Sequence, residues 1–128
     1  MMTIPALAVA ETGFVVNATA PEADCIRVEL VGTADTRAIE PLSKLLPDLH
    51  AHAAANQTAR VIVDLRALEF MNSSCFKAFV SWITSVQERE HAYRITFVSN
   101  PKFYWQRRSL HALLCFAADL VSLETAVS

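Results

Sequence analysis

The chain has 128 residues, of which 53% are hydrophobic and 19% charged, with a formal net charge of −2. That length suits one domain with a core of its own, and that balance excludes intrinsic disorder. The small acidic excess gives no footing for a general nucleic-acid or membrane-surface role, and no apolar run approaches the ~18 residues of a transmembrane helix.

Residues 1–12 carry no clear period and are expected to form a loose N-terminal tail. Residues 1–10 are mildly apolar without a positive flank, so no signal peptide is expected. After Gly13, residues 14–19 read as a first strand, ended by Pro21 and an acidic turn. Residues 25–31 alternate cleanly, with Ile26, Val28 and Leu30 on one side and Arg27 and Glu29 on the other. This is the pattern of a half-exposed strand, closed by Gly32. Asp35 or Thr36 can cap a helix running to about residue 55, with Ile39, Leu42, Leu45, Leu46 and Leu49 as its buried stripe. Pro41 fits only in the first turn, and Pro47 is expected to bend or split the helix.

Residues 60–65 form an apolar, β-branched run without clean alternation, which predicts a central strand covered on both faces. A short turn follows, and then Asn72, Ser73 and Ser74. Asn and Ser favour helix N-caps because a side-chain oxygen can accept from the free N–H groups of the first turn. Phe76, Phe79, Val80, Ile83 and Val86 then mark one apolar face of a helix over about 73–89. The start of that helix carries partial positive charge and unpaired donors, and it favours an anion or a phosphate. Residues 93–98 alternate again as a strand. Asn100 and Pro101 are expected to open a further helix with Pro at its first position, burying Leu110, Leu113, Leu114 and Ala117. Residues 120–124 make a short last strand. The order is β-β-α-β-α-β-α-β, an α/β fold with a mixed sheet of four to five strands packed by three main helices.

This order, together with Asp64, Leu65, Leu68, Phe70, Met71, Asn72, Ser73 and Ser74 in one run, resembles the STAS domain of anti-sigma-factor antagonists and sulfate-transporter tails. The resemblance spans about residues 13–125 within a single domain over residues 1–128. It implies a bacterial, cytoplasmic, non-enzymatic module of signal transduction and transcription regulation that works by partner switching. The implied partner is an anti-sigma factor that is also a serine kinase, with a PP2C-type phosphatase as a second partner and a homodimer as a further state. In such antagonists the first Ser of the pair is phosphorylated, which places that role on Ser73, and Asn72, Ser74 and Lys77 complete the implied contact surface. Two positions depart from the pattern. Asn72 stands where the family has Asp, which keeps the capping geometry but removes a charge. Cys75 stands where the family has Gly, which adds a Cβ that narrows the turn or fills a gap.

Other readings of the same residues stand beside this one. Ser73 and Ser74 serve equally as plain helix caps, and Lys77 as a solvated lysine. A ligand-sensing or scaffold STAS-like domain with no phosphorylation switch is then the alternative function. Cys75 sits where a helix start can depress a thiol pKa, but no base stands in a fixed relation to it, and a buried small residue is expected. Cys25, Cys75 and Cys115 form no CxxC pair, so reduced, buried thiols in a cytoplasmic setting are expected. His50, His52, His91 and His111 are scattered, and neither metal nor cofactor is expected. Trp82, Tyr104 and Trp105 with Arg107 and Arg108 have the composition of an exposed aromatic patch; of these, Trp82 reads rather as core, and Trp105 with the arginines as an exposed contact surface. Asp64, Arg66 and Glu69 show no spacing for acid–base catalysis, and there is no Gly-rich phosphate loop.

Overall fold

A computed structural model describes residues 2–125. They form β1 (Met2–Thr3), β2 (Val9–Glu11), β3 (Phe14–Glu22), β4 (Cys25–Ala34), α1 (Ile39–Ala55), β5 (Arg60–Met71), α2 (Ser73–Gln87), β6 (Arg94–Ser99), α3 (Tyr104–Phe116) and β7 (Val121–Thr125). The strands share one sheet in the order β1-β3-β4-β5-β6-β7, with β2 also paired to β3. β1, β2 and β4 run antiparallel to β3, whereas β4, β5, β6 and β7 are parallel neighbours.

Parallel neighbours need crossovers, and right-handed crossovers laid down in one direction bring all the connecting helices to one face of the sheet. That face carries Ile26, Val28 and Leu30 of β4, Val61, Val63 and Leu65 of β5, and Ile95 and Phe97 of β6, all buried. The stripes of the helices close on it: Leu42, Leu45, Leu46 and Leu49 of α1, Phe79, Ile83 and Val86 of α2, and Leu110 and Leu113 of α3 belong to the same cluster. Each such aliphatic side chain contributes roughly 1.5–3 kcal/mol when fully buried. The opposite face carries Arg27, Glu29, Ile62, Asp64, Thr96 and Ser122 and has no helix over it. The expectation that the central strand is covered on both faces is therefore overturned, because every crossover lies on one side.

The architecture is the expected mixed α/β sheet with three helices, but with seven strands where four to five were anticipated. The two extra strands come from the segment read as a loose tail. Met2 and Thr3 pair with Ala20 and Thr19, Val9 to Glu11 pair with β3, and Ile4 and Leu7 are buried in the core. Two- and three-residue strands are too short to show a period, which hid them.

Other boundaries moved for identifiable reasons. Asp35 caps a short 3-10 turn at Thr36–Ala38 before α1 begins. α1 then runs through Pro47 without splitting; Pro47 is exposed, so the carbonyl it frees one turn back can meet water. β5 continues to Met71 instead of turning after Leu65, because β4 pairs with it as far as Ala34↔Met71, with register shifts on the way. α3 starts at Tyr104, not at Pro101. Asn100 Oδ1 accepts from the Lys102 amide (3.0 Å) and the Asn100 carbonyl from the Phe103 amide (3.1 Å), so a turn takes these residues. Leu114, expected in the buried face of α3, is only half-buried.

Candidate functional site

The carboxyl end of β5 hands over to α2 at a capped junction. The Asn72 amide donates to the Ala34 carbonyl (2.9 Å), which ties the junction to the end of β4. Asn72 has extended backbone (φ −78°, ψ 168°), and its Oδ1 accepts from the Cys75 amide (2.9 Å). The Phe76 amide donates to the Asn72 carbonyl (3.0 Å). Asn72 thus occupies the cap, and Ser73 and Ser74 become the first two residues of the helix, both exposed. Of the orphan amides of that first turn, those of Ser73 and Ser74 are left for an outside acceptor. Lys77 is exposed one turn further on, at the i+4 position from Ser73.

Cys75, the third residue of the helix, points inward. It is fully buried, with its Sγ 3.8 Å from the Asp35 carbonyl. Burial, with a smaller contribution from Asp35, pushes its thiol above the ordinary value, so the helix start does not activate it. Of the remaining thiols Cys25 is buried but Cys115 is exposed, beside His111 on α3, which corrects the expectation that all three are covered.

Sequence reasoning missed several side chains that hold this edge together. Asp64 is 1% exposed on the helix-free face, where its carboxylate accepts from the Arg66 amide (3.0 Å), Arg66 Nε and Nη2 (2.9 and 2.7 Å), and Arg27 Nη2. Burial would raise its pKa, but the hydrogen bonds from Arg66 and Arg27 outweigh burial and hold the carboxyl below its ordinary value. Asp64 is structural, placed where β5 approaches the junction. Gln106 of α3 is fully buried, with Nε2 donating to the carbonyls of Leu65 (2.6 Å) and Leu68 (2.9 Å) and Oε1 accepting from the Asn100 amide (2.8 Å). It pins α3 to the extension of β5. Phe70, two residues before the cap in sequence, is a large apolar side chain left 46% exposed.

Trp82 is core, as read from the sequence. Trp105 is not the exposed partner of Arg107 and Arg108 that was expected: it is half-buried against the core, and its Nε1 has no hydrogen-bond partner. The exposed aromatic of that stretch is Tyr104, 78% accessible, and both arginines face water. Among the described residues no group of three or more metal-binding side chains exists, and no helix is long and apolar enough to cross a membrane.

The sheet order, the one-sided helices and the capped β5–α2 junction define a STAS-type fold, that of the anti-sigma factor antagonists. Among solved structures, an anti-sigma factor antagonist from Mycobacterium paratuberculosis superposes with a TM-score of 0.67 at 15% identity, covering 90% of this chain and 88% of that one. The anti-sigma factor antagonist SpoIIAA in its unphosphorylated form gives 0.58 at 14% identity, covering 88% of each chain. The Bacillus cell fate determinant SpoIIAA in its phosphorylated form gives 0.58 at 13% identity, covering 88% of this chain and 92% of that one. Neither a protein-family model nor a curated protein sequence matches the chain.

Proposed function

We propose that this chain is a non-enzymatic regulatory domain that binds a protein partner through the surface around Ser73, and that phosphorylation of Ser73 switches the contact off. The partner is of the anti-sigma, serine-kinase kind, with a PP2C-type phosphatase resetting the switch. The observation that carries the reading is the exposure of Ser73 as the first residue of an N-capped helix in a fold shared with anti-sigma factor antagonists. A phosphate there adds about −1.5 to −2 charges next to free amides and the positive end of α2, so the fold tolerates it. Lys77 supplies a cation at i+4. The partner surface, made of Asn72, Ser73, Ser74 and Lys77, then changes sign while its shape persists.

Asn72 fits this reading as a neutral cap. It keeps the cap that the family's Asp provides at this position and removes its charge, which alters what a kinase meets beside Ser73. Affinity capture from the native cells, with the recovered proteins identified by mass spectrometry, tests the proposal. The wild type and Ser73→Ala retain a protein bearing a serine-kinase-type ATP site, and Ser73→Asp loses it. Equal recovery by all three forms sinks the proposal.

A further inference from the structure

Charge is segregated along this chain. Residues 91–118 hold Arg94, Lys102, Arg107 and Arg108 and no acidic residue, while the rest holds seven basic residues against all thirteen acidic ones. Tyr104, Arg107, Arg108 and His111 fall at i, i+3, i+4 and i+7 and share one face of α3. Beside that face, at the carboxyl ends of β6 and β7, lies a cavity of about 610 Å3. This is within the roughly 300–1,000 Å3 range of ligand pockets.

Its lining mixes apolar, basic and neutral polar side chains. Phe103, Leu110 and Leu123 are apolar, whereas Arg107, Arg108 and His111 are basic. Among the described residues no carboxylate lies within 4.0 Å of either guanidinium. The amides of the cavity are already committed: Asn100 bonds the Arg66 carbonyl and the Lys102 amide, and Gln106 bonds Leu65, Leu68 and Asn100. Of the polar groups that remain, the two guanidiniums carry fixed charge, and their planar forks match carboxylate or phosphate oxygens in pairs. A concave site that brings apolar and cationic side chains together suits an amphipathic small molecule better than a flat peptide.

We propose that this cavity binds a small organic anion, a carboxylate or phosphate ester carried on an apolar or aromatic body. Arg107 and Arg108 hold its charge, and Phe103, Leu110 and Leu123 hold its body. The site lies apart from Ser73 and does not depend on the switch.

An NMR titration of the full isotope-labelled chain tests it, with phenyl phosphate, benzoate, inorganic phosphate and benzyl alcohol as probes. One of the two aryl anions shifts the amides of Ser99, Asn100 and residues 103–111 saturably, and which of them binds tighter tells phosphate ester from carboxylate. Inorganic phosphate and benzyl alcohol, each lacking half of the recognition, bind at least about tenfold more weakly. Arg107→Gln with Arg108→Gln weakens the better probe by about tenfold or more at an unchanged melting temperature, while the double Lys variant keeps part of the affinity. Ser73→Ala binds as the wild type does. The proposal is overturned if neither aryl anion saturates at these amides, if inorganic phosphate binds as tightly as the aryl anions, or if hexaglutamate binds there and the aryl anions do not.

Discussion

Asn72 decides how α2 begins, and through α2 where both hydroxyls point. Its cap hydrogen bond predicts that Asn72→Ala lowers stability by about 1 kcal/mol in urea unfolding, while Asn72→Asp, which keeps an acceptor at the positive helix end, costs little or nothing. Asp64 is the second residue with a measurable signature. Its folded pKa is depressed, so its ionised form stabilises the fold above the ordinary carboxylate value, and that stability is lost as pH falls through the lower folded value. Acid unfolding of the wild type should therefore steepen below about pH 4. Asp64→Asn should be less stable at neutral pH, by about 1–3 kcal/mol given the half-exposed arginines, and should lose less on acidification. If the two pH curves run parallel, the ion-pair account of Asp64 is wrong.

At the scale of elements, two junctions carry predictions. Gly32 has φ +104°, and a Cβ on it would lie 2.1 Å from the Gly13 carbonyl oxygen, where β4 passes the β2–β3 turn. Gly32→Ala should cost about 1–3 kcal/mol or more, read as a lower urea midpoint. Between α1 and α2, the indole N–H of Trp82 donates to the Tyr93 hydroxyl (2.9 Å), which is also hydrogen-bonded to His50 Nδ1 (2.7 Å). The buried setting of this chain of bonds favours a neutral His50. Burial, then the nearby Arg89, depresses its pKa, and burial pushes the Tyr93 hydroxyl up to about 12. A depressed His pKa means that the unfolded chain binds the proton better, so stability falls as pH drops below about 6.5. The urea midpoint of the wild type should fall between about pH 8 and about pH 5.5, and His50→Gln should shrink that drop.

The elements also show what was legible beforehand. The central strand, the capped start of α2 and the stripes of α1 and α2 were plain, because burial on one face of a regular period writes itself into residue order. The extension of β5 was not, because residues 66–71 are held by backbone pairing to β4, which leaves no mark on side-chain choice. Gln106 was invisible for the opposite reason: a polar residue reads as surface until its carbonyl partners, about 40 residues away, are known. The same distance hid the pairing of Asp64 with Arg27.

For the whole molecule, one-sided crossovers explain the layout. Both candidate sites sit on the carboxyl edge of the parallel strands, the junction after β5 and the cavity beyond β6 and β7. The helix-bearing face is spent on the core. That edge, like the helix-free face, meets the outside, and Ser73 is exposed there at the end of β5, near the centre of the sheet. Phosphopeptide mapping of the protein from its native cells tests the central claim most directly. The account predicts a phosphorylated fraction carrying one phosphate on Ser73, with that fraction absent from the partner-bound pool. A protein unmodified at Ser73 in every growth state, or phosphorylated at Ser73 while still bound to its partner, would contradict it.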